Sequence, residues 1–278
     1  MSSLLALAGV PRLLEPPIDM KGHPKAAGVW FAIMIATFVA ASVWSCWRAT
    51  RHGDPLALIL LLSGVICTGI EPLLDLVGMV WYPTDTGPFA FTACGRSIPV
   101  WVILGYGWYY GVTSYLLFRG LKHRWSVKRV MGYLLALAVL DLAMESVVVP
   151  IGIYRYYGPQ PFNFYGFPFW WMIPNGTIAV IGGVLLYLAV PYLKGWRMLA
   201  GLAIVPAADA VVYFGANWPT FTALNMDVPP VARWAAAVLG CGLTLLLAWV
   251  AVLLVKKIDQ QRRIDTPWDG GNVVAAHR

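Results

Sequence analysis

Apolar residues in this chain fall into long runs, separated by short stretches that hold most of its lysines and arginines. A bilayer's hydrocarbon core requires about 20 consecutive apolar residues of a spanning helix. Runs of that kind predict helices near Ala26 to Trp47, Leu56 to Val80, Pro99 to Phe118, Val130 to Gly152, Pro168 to Ala189, Met198 to Phe214 and Val231 to Leu254. The expected fold is all-α, an integral membrane bundle of seven transmembrane helices spanning residues 26–254. Residues 1–25 lack a basic start followed by a cleavable apolar core and carry Pro11, Pro16 and Pro17, so they are expected to lie at the interface, uncleaved. Residues 255–278 form a basic tail.

The pattern breaks at five carboxylates: Glu71 and Asp75 on the second run, Asp141 and Glu145 on the fourth, and Asp209 on the sixth. No run interior holds a lysine or arginine to neutralise them. A charge at mid-bilayer costs at least about 2.5 kcal/mol, so these groups should be protonated, hydrated or turned into one polar cavity. The i, i+4 spacing of each pair puts both carboxyls on one helix face, a proton donor beside a proton acceptor. At 1.5 Å rise per residue, Glu71 and Glu145 lie roughly 22 to 24 Å from the cytoplasmic ends of their helices, and Asp141 and Asp209 about 15 Å. Interhelical hydrogen-bond glue is the plainer explanation for any single one of them. Five at similar depth favour a shared pocket.

The second and fourth runs also share an order of features. Glu71 precedes Gly78 by seven residues and Tyr82 by eleven, and Glu145 precedes Gly152 and Tyr156 by the same offsets. Pro88, Phe89 and Phe91 then correspond to Pro161, Phe162 and Phe164, and Pro99 with Trp101 to Pro168 with Trp170. A looser third copy holds Asp209, Gly215, Pro219, Phe221, Pro230 and Trp234. The expected architecture is one leading helix followed by three parallel helix pairs, each giving an acid to a common interior.

Composition narrows the chemistry. With 59% hydrophobic and 12% charged residues, and a mean hydropathy of +0.68, the chain cannot cover a water-soluble surface. Its four histidines, His23, His52, His123 and His277, fall outside the apolar runs, which argues against buried haem or di-iron sites. Cys46, Cys67, Cys94 and Cys241 form no CxxC pair, so neither a disulfide nor a metal site is expected, and no cofactor. The net charge of +7 is better explained by anionic lipid and membrane orientation than by nucleic acid. Fourteen of the twenty lysines and arginines follow odd-numbered runs, which places the N-terminus outside and the C-terminus in the cytoplasm of a cell-membrane protein.

Aromatic residues, 14% of the chain, crowd the outer halves and outer loops. An interfacial belt accounts for about half. The remainder are candidates for substrate binding: Tyr82, Trp101, Tyr106, Tyr109, Tyr154, Tyr156, Tyr157, Trp170 and Trp171, together with Asn175 and Arg155. Aromatic faces stabilise a developing cation, and amides and hydroxyls orient oxygens of an apolar substrate. Arg155 could pair with a pocket carboxylate or snorkel.

The stretch from Asp141 and Glu145 through Gly152, Ile153, Tyr154, Arg155, Tyr156, Tyr157, Gly158, Pro159, Gln160, Pro161 and Phe162, then Gly166, Phe167, Pro168, Trp170, Trp171 and Asn175, resembles the AveC-like spirocyclase family of actinobacterial membrane proteins. Glu71, Pro72 and Asp75 followed by Gly78, Trp81 and Tyr82 share the likeness, which covers roughly residues 55 to 190. The resemblance implies an integral-membrane enzyme that closes a spiroketal from a dihydroxyketone, sometimes with dehydration. It carries over no catalytic position. The order of acid, glycine, tyrosine and aromatic loop is also similar to bacterial carotenoid hydratases and lycopene cyclases.

The expectation is therefore a cofactor-free membrane enzyme for acid/base cyclisation, dehydration or hydration of a lipophilic polyketide or terpenoid. Glu71, Asp75, Asp141, Glu145 and Asp209 are the candidate catalytic residues, with Glu145 or Glu71 as acid and Asp141 or Asp75 as base. A proton-coupled carrier or lipophile-binding protein is the competing class. A retinal photoreceptor is excluded because the seventh run lacks the lysine a Schiff base needs. Expected partners are a lipophilic small molecule and membrane lipids.

Overall fold

A computed structural model describes residues 14–265. Pro11, His277 and the outer parts of the two terminal segments lie outside the described residues. The chain is mostly helical: α1 (Pro24–His52), α2 (Leu56–Cys67), α3 (Glu71–Gly78), α4 (Val100–Tyr106), α5 (Thr113–Lys122), α6 (Val127–Ile151), α7 (Met172–Ala189), α8 (Ile204–Ala210), α9 (Trp218–Leu224) and α10 (Pro230–Asp265). Among the described residues, five helices are long and apolar enough to cross a membrane, and a sixth if α2 and α3 count as one bent span. Large apolar side chains cover the outer faces of α1 and α10, among them Val29, Val39, Val43, Val238, Leu246 and Leu254. Such surfaces suit hydrocarbon rather than water.

Two expected spans differ in shape or length, and a third is helical without passing as an apolar span. The second run is not one straight helix but bends by 48° between α2 and α3. Pro72 explains the break: it has no N–H to give the carbonyl of Thr68, and its ring would collide with that carbonyl. The third run, helical over 100–122, is not among the helices that pass for apolar spans, because its interior is rich in tyrosine, tryptophan and glycine. The last helix does not stop at Leu254 but runs on to Asp265, carrying the first part of the basic tail with it.

The loops at the acid end are not irregular, as an all-α reading expects, but contain three small antiparallel β ladders. β1 (Val80–Trp81) pairs with β4 (Arg155–Tyr156), β2 (Phe89–Ala93) with β3 (Arg96–Pro99), and β5 (Asn163–Phe164) with β6 (Phe167–Pro168). Cys94 and Gly95 turn the second ladder with φ of 50° and 68°, and Tyr165 and Gly166 turn the third with 51° and 90°. Two consecutive residues at positive φ match the right-handed twist of a tight hairpin. Each hairpin runs through a proline, Pro99 or Pro168, into a helix.

Small residues let the helices approach closely. A Cβ on Gly111 would sit 2.9 Å from the carbonyl carbon of Leu60, and one on Gly183 2.8 Å from Leu117. Close backbone approach of this kind holds helices together where lipid removes the hydrophobic driving force. A π-helical turn over Gly107–Val112 interrupts the helix at 100–122, and a second, Val211–Ala216, follows α8. Such turns insert a residue into the α-helical register and re-aim the side chains after it.

Candidate functional site

The bend at Thr68 to Ile70 brings Glu71 to the start of α3, where it faces the helix at 100–122. Tyr82 donates to Glu71 Oε1 at 3.1 Å, and Tyr106 donates to Oε2. One turn on, Asp75 is 1% exposed, and among the described residues its Oδ2 has no hydrogen-bond partner. On α6, Asp141 Oδ2 accepts from Asn175 Nδ2 at 2.9 Å. Asn175 Oδ1 accepts in turn from Tyr110 at 2.8 Å and from Tyr213. Glu145, one turn beyond Asp141, shares the cavity wall with Tyr154 and Tyr156, and its buried Oε2 has no partner among the described residues.

These four carboxyls line one cavity of about 120 Å³. Tyrosines from four segments share its wall: Tyr82; Tyr106, Tyr109 and Tyr110; Tyr154 and Tyr156; and Tyr213. Ring contacts link them, with Tyr82 to Tyr154 at 5.3 Å, Tyr154 to Tyr156 at 5.7 Å, Tyr156 to Trp171 at 5.6 Å and Trp171 to Tyr213 at 5.3 Å. Trp30, Trp101, Trp108 and Trp171 also line it, and the indole N–H of each is buried without a partner among the described residues. Buried polar atoms are nearly always paired, so this many unused donors and acceptors on the residues around one space set it apart from a packed core.

The π turn at Gly107–Val112 helps to bring Tyr106, Tyr109 and Tyr110 to the same side. Gly78 is required by close approach: a Cβ there would lie 2.5 Å from the Trp171 ring. The β1 and β4 ladder ties the two acid-bearing segments together, pairing Val80 with Tyr156 and Trp81 with Arg155.

Four of the anticipated site residues lie elsewhere. Asp209 is fully buried but outside the cavity wall, and among the described residues neither of its oxygens has a partner. The π turn that begins two residues later aims Tyr213 into the chamber in its place. Arg155 is exposed at the edge of β4 and reaches no pocket carboxylate. Tyr157 is turned away from the chamber to accept from Arg96 Nη2 at 2.6 Å. Trp170 packs behind Trp171, with centroids 4.5 Å apart, and donates to Gln160 Oε1 at 3.3 Å. Tyr82, Trp101, Tyr106, Tyr109, Tyr154, Tyr156, Trp171 and Asn175 all line the cavity, as do Glu71, Asp75, Asp141 and Glu145.

Several contributors escaped the sequence reading. Tyr110 follows Tyr106 by one helical turn, a spacing that could have flagged it. Trp30, Met34 and Met144 come from α1 and α6 with no polar signal to distinguish them from lipid-facing neighbours. Arg96, counted as an outer-loop cation, is only 4% exposed and stacks over Trp81, its Cζ 5.4 Å from the ring centroid.

No protein-family model, curated protein or solved structure matches the chain.

Proposed function

We propose that the protein is a cofactor-independent membrane enzyme that performs acid/base cyclisation, dehydration or hydration on a lipophilic substrate. The observation that carries this reading is the meeting of four carboxyls and seven tyrosines in one apolar-walled chamber. Of the two glutamates, Glu71 already accepts two hydroxyl hydrogen bonds whereas Glu145 keeps an oxygen free; Asp75, which also keeps one, and Asp141 are the bases. Glu145 is accordingly the acid. It passes its proton to a carbonyl or hydroxyl oxygen, or to an alkene carbon, of the bound molecule. A hydroxyl of the same molecule, or water, then attacks the resulting cation and gives up its proton to Asp141 or Asp75. For a dihydroxyketone two such rounds, the second expelling the hemiketal hydroxyl as water after the proton has returned to Glu145, sum to a spiroketal plus one water. A polyene gains one water, or closes a ring when a second alkene attacks the cation and a neighbouring C–H gives its proton to the base.

The aromatic faces stabilise the cation, and their packing keeps bulk water from capturing it. Unpartnered indole N–H groups of Trp101 and Trp171 orient substrate oxygens. A proton-coupled carrier would need a path to the other face. Below the chamber, Leu60 and Leu61 on α2, and Ser114, Tyr115 and Leu117 on α5, are all but completely buried, which favours the enzyme.

The architecture within this reading is seven spans, counting the bent pair and the helix at 100–122, with N-terminus outside. Trp81 stands ten residues after Glu71 and Arg155 ten after Glu145, and the two lie opposite each other in an antiparallel pair. Equivalent residues facing one another in this way imply a local two-fold axis, which supports a duplicated acid, strand, hairpin and helix unit.

The test is mass spectrometry of lipophiles retained by the purified protein, followed by incubation of each with protein in membranes. Recovery of a polyol ketone, polyene or related molecule that is converted with a mass change of zero or one water supports the reading. Retained molecules that are carried across vesicles unaltered would replace it with the carrier.

A further inference from the structure

At the opposite end of the bundle, the end of α1, the start of α2, the end of α5 and the segment after α7 enclose a second cavity of about 550 Å³. Arg48, Arg119 and Lys122 bring three permanent positive charges to its wall, against one carboxylate, Asp54. That carboxylate is already engaged: it accepts from Arg48 Nη2 at 2.8 Å and from the Tyr115 hydroxyl. Among the described residues, Arg48 with Asp54 is the one ion pair, so Arg119 and Lys122 have no carboxylate within bonding reach. Arg119 makes only longer contacts, 3.3 Å to the Tyr115 hydroxyl and 3.5 Å to the His123 ring. Arg48 Nε is buried with no partner among the described residues, a donor in want of an acceptor.

Arg48, Arg119 and His123 are shared with an adjoining cavity of about 390 Å³, whose wall includes Trp44, Trp47 and Trp125. Guanidinium and ammonium groups around a polar space, opening beside an aromatic one, match a phosphate ester that carries an apolar chain. We propose that this end of the protein holds a built site for a phosphate anion, occupied by the headgroup of an anionic phospholipid with its acyl chain along the tryptophans. The site is remote from the acid chamber and does not depend on what reaction that chamber performs.

Two titrations test the proposal on the full-length protein: phosphatidylglycerol against phosphatidylcholine by native mass spectrometry, and inorganic phosphate by thermal shift. Wild type is expected to prefer phosphatidylglycerol at least tenfold, and Arg119→Gln with Lys122→Gln is expected to abolish that preference. A charge-matched control, Lys128→Gln with Lys257→Gln, alters exposed residues outside both cavities and is expected to keep it. If inorganic phosphate instead stabilises wild type and not the double variant, while lipid preference is equal in both, the same site serves a free phosphate. Equal behaviour of wild type and double variant in both titrations would overturn the site, as would an equal loss in the control pair. Should the double variant not fold, Lys122→Gln alone, at an exposed position, is expected to weaken the preference threefold or more; no change in it would count against the site.

Discussion

Glu145→Gln is expected to leave the protein folded and to slow conversion of its lipophilic substrate by at least about a hundredfold, the scale of losing a positioned proton donor. Glutamine has the shape of glutamate and keeps a polar group beside the chamber tyrosines, but it has no acidic proton to give. Its partner-free Oε2 is the feature that separates Glu145 from Glu71, the other glutamate of the chamber. Glu71→Gln should cost less, because the amide oxygen retains one of the two tyrosine hydrogen bonds that Glu71 accepts. Product formation per molecule of folded protein, measured in isolated membranes, checks both. Wild-type rates in the two variants together would remove the acid/base mechanism.

Asp209→Leu should make the protein more stable, not less. Asp209 is fully buried, and among the described residues neither carboxyl oxygen has a partner, so the folded state bears the desolvation of a polar group with nothing in return. Replacing such a group by an apolar one of similar volume should stabilise the fold by about 1 to 3 kcal/mol. Because Asp209 lies outside the chamber wall, turnover should stay within about tenfold of wild type, far from the loss expected at a proton donor. Thermal unfolding in lipid nanodiscs, with activity measured on the same samples, checks both parts. A large fall in melting temperature or a loss of turnover as severe as that of Glu145→Gln would return Asp209 to the site.

Much of the site was legible because charge in an apolar run is conspicuous. Glu71, Asp75, Asp141 and Glu145 announced themselves, and i, i+4 spacing correctly put each pair on one face. Asp209 carried the same signal yet lies outside the cavity wall, while Tyr213, in the π turn that begins at Val211, lines it; composition registers no such turn. The bend before Glu71 was readable in Pro72, yet the hydrophobic run continues through it and hides the break. Arg155 and Arg96 are both outer-loop arginines in the sequence; only the hairpin register decides that Arg96 is buried and Arg155 exposed. Aromatic residues were the hardest to sort. A tryptophan that anchors a headgroup and one that walls a chamber have the same composition and depth, and the difference between Trp170 and Trp171 is one residue of helical rotation.

The central claim is that four carboxyls from two segments share one secluded space. A hydrophobic carbodiimide, which enters from the lipid phase and adds covalently to protonated carboxyls, tests it directly when the intact protein is weighed and its peptides are mapped. A common chamber of this size should admit one adduct per molecule, distributed over Glu71, Asp75, Asp141 and Glu145, with each label protecting the other three. Two or more of these positions labelled on the same molecule would contradict the account, as would labelling concentrated at Asp209.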